Sequence, residues 1–216
     1  MSTLTRRGLL AGAAAITASA AGSPAIAAAP PTGKQAAGFY RYKVGNFELT
    51  VVTDGIRVAP LADNFVRNAK KDDVGAALQA NFMAANELRT PYNPLIINTG
   101  SKLVLVDTGL GSDVFAQSKG ALGQLAGNLT TAGIDAKAID TVIITHCHPD
   151  HINGLVGADG KPAFPNAEVF VPAIELKYWS DDGALSRAPE GLKGNFTNTR
   201  RVFKALGARP VSGPYH

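Results

Sequence analysis

His146, His148, Asp150 and His151 lie within six positions, directly after the apolar run Val142-Ile143-Ile144, and account for three of the chain's four histidines. Neutral imidazole and carboxylate are the ligands that borderline divalent cations such as zinc prefer, and a catalytic zinc usually keeps three protein ligands and a water. The chemistry these residues could do is therefore metal chemistry. On extended backbone His146 and His148 project to the same side and can grip one cation, while two imidazoles alone are too few to complete a site. Cys147, between them, is the only cysteine of the chain. Its side chain projects to the opposite side, which assigns it to packing rather than ligation, and it has no partner for an intramolecular disulfide. Pro149 fixes its own φ and presses His148 towards an extended conformation, which reduces the freedom lost on binding.

The elements that must position this cluster can be read from the pattern around it. Asp140 to Thr145 is β-branched and apolar at its centre, which predicts a buried strand of an α/β sheet with the histidines leaving at its C-terminal end, where ligands of open α/β sheets collect. Upstream, Leu95–Asn98 and Leu103–Val106 flank Thr99-Gly100-Ser101-Lys102 at hairpin spacing,. Alternation over Phe39–Thr53 predicts a first strand, or a strand pair, ending in a turn at Asp54-Gly55. One helix is expected over Val74–Leu88, and another from Ser112 or Asp113 to about Ala132, closed by Gly133. The strand-helix-strand order into Asp140–Thr145 favours a right-handed crossover between parallel strands. Glu168–Val171 reads as a further strand, followed by Pro172 at the first turn of a helix over Ala173–Trp179. Tyr178 and Trp179 suit packing or a substrate mouth. Gly109-Leu110-Gly111 invites a phosphate-loop reading, which fails because residue 114 is Val,.

The pattern His146-x-His148-x-Asp150-His151 resembles the signature of the metallo-β-lactamase superfamily. The resemblance implies that the two histidines of His-x-His bind one metal and the Asp-His pair a second, with zinc, two per complete site, as the expected cofactor and other divalent metals as alternatives. It also implies an αββα sandwich of mixed α/β class, with Asp150 as metal ligand and proton-handling catalytic residue. Asp107-Thr108-Gly109, at the end of the second hairpin strand, resembles a motif of the same superfamily. That gives Asp107 the role of orienting the metal loop by hydrogen bonds, against the alternative of an Asp capping a turn before Gly109. Residues 39–157 cover the first half of such a sandwich, and Phe39–Thr53 with Asp54-Gly55 looks most like the branch containing methyl parathion hydrolase and related lactonases. The family also uses a third histidine, a bridging acid and a last histidine. After His151 the sequence offers His216, Asp159, Asp181 and Asp182. Asp159 lies in a turn and the Asp181-Asp182 pair suits helix capping, so the second half of the domain is expected to be only partly present.

Composition limits the alternatives. With 216 residues and 45% hydrophobic content the chain can bury a core, and its net charge of +4 is mild,. Lys70-Lys71 meets Asp72-Asp73 at once and Arg200-Arg201 is isolated, so no nucleic-acid surface is expected. Arg6-Arg7 precedes an Ala/Gly-rich apolar stretch and Ala25-Ile26-Ala27, which resembles a twin-arginine signal peptide over residues 1–27, too short and too poor in large side chains to span a membrane. Removing residues 1–27 takes away two arginines and no acids, leaving a net charge of +2. Residues 28–38 read as a flexible linker and 39–216 as the domain. The expectation is an exported, periplasmic or secreted, metal-dependent hydrolase, with the twin-arginine export machinery and a small-molecule substrate (ester, lactone, phosphotriester or lactam) as partners. An iron-dependent redox member of the same fold and a non-catalytic metal-binding remnant are the alternatives.

Overall fold

The computed structural model describes residue 33, residues 36–207 and, as backbone, the strand at 210–213. The expected signal peptide, most of the linker, and His216 lie outside the described residues. The main sheet has seven strands: β1 (Phe39–Val44), β2 (Phe47–Val52), β5 (Leu95–Asn98), β6 (Leu103–Val106), β7 (Thr141–Ile143), β8 (Glu168–Pro172) and β9 (Pro210–Gly213), hydrogen-bonded in that order. β1, β2, β5 and β6 pair antiparallel, and β6 to β9 pair parallel. A separate two-stranded ribbon joins β3 (Gly55–Pro60) to β4 (Glu87–Tyr92). The result is a mixed α/β architecture. It holds the first half of the expected sandwich, and a second large sheet is not among the described residues.

Register explains where the core lies. Thr50 pairs with Ile96, Ile96 with Leu105, Leu105 with Val142 and Val142 with Val169, so all five share one face,. Each is at most 2% exposed. The helices cover this face: α3 (Leu125–Thr131) buries Leu125 and Leu129, α5 (Ala173–Ser180) buries Trp179, and α7 (Glu190–Leu206) buries Phe196, Thr199, Val202 and Leu206. The last four recur at helical spacing and form one stripe. Glu190 in the first turn and Lys204 in the last suit the helix dipole,.

The opposite face carries Leu49, Val51, Leu95, Ile97, Val104, Val106, Ile143 and Phe170, all only partly covered. This corrects the reading of Asp140–Thr145 as a strand buried on both sides: Val142 is fully buried, whereas Thr141 and Ile143 are half-buried. A continuous β-branched run does not reveal how many faces are covered; that depends on what packs against them.

Two helix boundaries also differ from expectation. α1 spans Lys71–Ala80 and stops there because Phe82 takes a left-handed conformation (φ 61°) and Glu87–Tyr92 is drawn into the ribbon, Leu88 pairing with Ala59. The helix expected to run to Ala132 is split into α2 (Gly111–Gln117) and α3. Lys119 and Gly120, at φ 53° and 84°, end the first helix, and Gly123, at φ 71°, turns the chain into the second. A Cβ there would run into the carbonyl oxygen of Gly111 and the amide of Phe115, so the turn between the helices needs glycine,.

Candidate metal centre

β6 and β7 lie side by side in parallel, Val106 opposite Ile143, so the segments that follow them leave at the same edge of the sheet. The β6 segment continues into Asp107, whose φ of 60° is left-handed, a conformation that Asp tolerates better than most residues,. Its carboxylate then reaches across. Oδ1 accepts the Thr145 amide at 2.8 Å, and Oδ2 accepts the Thr145 hydroxyl at 2.8 Å. Oδ2 also lies 2.8 Å from His151 Nδ1.

The β7 segment carries the histidines. His148 is extended (φ −73°, ψ 155°) and precedes a single helical turn, α4 (Pro149–Ile152), with Pro149 at its first position,. The His146 and His148 rings meet edge to face with centroids 4.7 Å apart, and His146 and His151 are 3.8 Å apart. Asp150 Oδ2 lies 3.2 Å from His151 Nε2. His146, His148, Asp150 and His151 therefore come together at the C-terminal end of β7. Cys147 points the other way, fully buried, and burial pushes its thiol up to about 12, with the Glu175 carboxylate adding to the effect.

Electrostatics follow from this packing. Burial works against charge on His151, but hydrogen bonds and charge from Asp107 and Asp150 outweigh it and raise its pKa to about 9. Burial also works to raise Asp150; the hydrogen bond and charge of His151 prevail and hold it below the usual carboxylate range. His146 is pushed down, first by burial and then by the neighbouring His151 and His148. Two carboxylates flanking one imidazole make a place where positive charge is favoured.

The donor set suits zinc in kind. Asp150 Oδ2 and His151 Nε2 meet at 3.2 Å, so a carboxylate and an imidazole, both ligand types that zinc accepts, lie side by side,. With Asp107 on Nδ1, His151 has Nε2 turned to Asp150, the arrangement by which a carboxylate fixes the tautomer of a metal-binding imidazole,. Among the described residues, no group of three or more His, Cys, Asp or Glu is disposed to hold a metal ion. The later acids lie in other structures. Asp159 Oδ1 accepts the Lys161 amide in a turn, Asp181 caps α6 (Asp182–Arg187) by accepting the Ala184 amide, and Asp182 pairs with Arg200 at 2.8 Å.

Three residues that support the site were not read from the sequence. Asp54, expected in a turn, is fully buried; its Oδ2 accepts the Leu110 amide at 2.7 Å and its Oδ1 the Leu125 amide at 2.8 Å. It ties the loop after Asp107 to the start of α3. Burial raises its pKa against these amide bonds. Glu175 Oε2 accepts the Cys147 amide, and Thr199 Oγ1 donates to the Cys147 carbonyl. The helical spacing of Phe196, Val202 and Leu206 would have placed Thr199 on a buried face, where a hydroxyl needs a partner. Nothing local identified that partner. Trp179, 5% exposed, packs edge-on to His148 with centroids 5.5 Å apart, and so serves as packing beside the histidine cluster.

With this geometry in place, residues 89–211 match the metallo-β-lactamase superfamily, and the chain belongs to that family. AidC, a dizinc quorum-quenching lactonase solved with its product N-hexanoyl-L-homoserine, is 31% identical with a TM-score of 0.71, over 82% of this chain and 61% of that one. AbOPH, a hydrolase in the β-lactamase superfamily, is 28% identical with a TM-score of 0.71, over 84% of this chain and 62% of that one. The chain thus spans about three fifths of the length of either protein. No curated protein matches the sequence.

Proposed function

We propose that the chain is a metal-dependent hydrolase of ester, lactone, phosphotriester or lactam bonds, with His146 and His148 holding one zinc and Asp150 and His151 a second. The observation that carries this reading is the relay Asp107 Oδ2, His151 Nδ1, His151 Nε2, Asp150 Oδ2, with contacts of 2.8 and 3.2 Å, which orients an imidazole and a carboxylate at one point. When bound, zinc supplies Lewis acidity and makes water a competent nucleophile near neutral pH. The chain's own residues do the rest. Asp107 holds the His151 tautomer, Asp150 offers an ionised carboxylate that can accept a proton, and Trp179 screens one side of His148 from water. The likeness to a dizinc lactonase and to a superfamily hydrolase supports a small-molecule substrate.

Export by the twin-arginine route to the periplasm or beyond belongs to the same proposal. It is supported by Arg6-Arg7 ahead of an apolar stretch,. No helix among the described residues is long and apolar enough to cross a membrane.

A second reading rests on the absence of a converging trio among the described residues. On this reading the chain binds metal through paired donors without turnover. One experiment addresses both: zinc titration of the purified chain and of a His146→Ala/His148→Ala variant, with lactone and phosphotriester hydrolysis followed in parallel. Zinc binding that the double variant weakens, with hydrolysis, supports the hydrolase; weakened binding without hydrolysis supports the second reading. Equal stoichiometry and affinity in the two proteins would remove the site assignment. Iron in the purified protein with oxygen uptake would point to the redox relative instead.

A further inference from the structure

The peptide groups between His146 and His148 are held from below by two helices. Cys147 donates its amide to Glu175 Oε2 of α5 at 2.9 Å, and its carbonyl accepts the hydroxyl of Thr199 of α7 at 3.1 Å. The first bond fixes the peptide plane joining His146 to Cys147, and the second fixes the plane joining Cys147 to His148. Both peptide planes that separate the two histidines are therefore restrained by a partner on the lower side. The fully buried Cys147 side chain is the anchor between them.

Glu175 Oε2 does more than satisfy one donor. It also accepts Trp179 Nε1 at 2.9 Å, one helical turn further along α5,. The Trp179 ring stands edge-on to His148 and packs against Phe196 of α7 at 4.6 Å between centroids. One oxygen thus sets both the backbone under the histidine pair and the aromatic wall beside it.

We infer that Glu175 and Thr199 are positioning residues that set the spacing of the His146 and His148 imidazoles by clamping the backbone of Cys147 between α5 and α7. The consequence for metal binding rests on the reading that His146 and His148 share a cation; the clamp itself does not.

The test uses the full chain and three variants: Glu175→Ala, Glu175→Gln and Thr199→Val. Because a single oxygen accepts both bonds, the glutamine carbonyl can take its place, whereas alanine leaves the Cys147 and Trp179 donors without it. Three readouts apply: imidazole resonances of the metal-free protein by nitrogen-15 NMR, hydrogen exchange of the Cys147 amide, and zinc affinity by competition with a chelating dye. Glu175→Ala is expected to shift the His146 and His148 signals and to speed Cys147 exchange about tenfold or more. It is also expected to weaken zinc binding by roughly 10- to 100-fold, the range for loss of a group that orients ligands. Glu175→Gln should recover most of each effect. Unchanged ring signals and exchange in Glu175→Ala, or no recovery with glutamine, would overturn the clamp. If Glu175→Ala does not fold, Thr199→Val carries the same test through the carbonyl, and wild-type ring signals in that variant would overturn it equally. Ring signals that move while zinc affinity stays constant in every variant would leave the clamp standing and refute the assignment of His146 and His148 to a cation.

Discussion

Asp107 is the residue on which the arrangement of the site depends most. Its two oxygens hold the Thr145 amide, the Thr145 hydroxyl and His151 Nδ1, so it fixes both the start of the histidine segment and the tautomer of one imidazole. Asp107→Asn separates these roles. Asparagine tolerates the left-handed backbone at this position and can keep an oxygen on the Thr145 amide, but it turns an NH₂ group towards His151 Nδ1. Nδ1 must then accept, which places the imidazole proton on Nε2, the nitrogen facing Asp150. The expected outcome is a loss of zinc affinity of about 10- to 100-fold in a chelator competition assay, with little change in the urea midpoint. Affinity equal to wild type would show that the tautomer set by Asp107 is irrelevant to binding.

At the scale of elements, the site stands on two contacts between segments. One is the approach of the α4 turn to the loop after β6: the Thr108 amide and hydroxyl both donate to the His151 carbonyl at 2.8 Å, and a Cβ on Gly154 would collide with the Thr108 carbonyl. The other is the packing of α7 beneath the histidine segment through Phe196, which is fully buried against Trp179 and Tyr178. Removing a buried phenylalanine ring costs about 3–5 kcal/mol through lost transfer energy and the cavity left behind. Phe196→Ala is expected to lower stability by an amount in that range, read by urea unfolding. The fluorescence of Trp179, the only tryptophan, should shift to the red in the folded variant as water reaches it. A cost below about 1 kcal/mol would mean that α7 is not a structural support of the site, since even small core truncations reach that level.

For the whole molecule, the uneven coverage of the seven-stranded sheet has consequences. The face opposite the helices presents Leu49, Val51, Ile97, Val104, Val106 and Ile143 partly exposed, and none of them belongs to the buried cluster or packs against it. Contiguous apolar surface of this kind drives association. The purified chain is expected to self-associate with rising concentration. Replacing Ile97 and Val104, which face each other in register, by threonine should shift the equilibrium towards monomer while keeping β propensity,. Light scattering coupled to size exclusion decides the matter: a monomer at all concentrations for the parent chain would show that this face is covered in solution.

The sequence by itself determined which candidate residues meet and at which end of which strand. His146, His148, Asp150 and His151 are local in sequence, so strand periodicity and Pro149 suffice to bring them to one end of β7, and the β5–β6 hairpin was legible for the same reason: its turn and both strands are contiguous. Tertiary structure alone decided what holds them. Asp54 lies 56 and 71 positions from the amides it accepts, and Glu175 and Thr199 lie 28 and 52 positions from Cys147. No local propensity encodes such pairs. A buried donor or acceptor must find a partner, but which one it finds is fixed by how helices pack on the sheet. The same holds for the sheet's two faces: the pattern of apolar residues in β7 reads alike whether one face or both are covered, and only the packing of α3, α5 and α7 on one side selected between them.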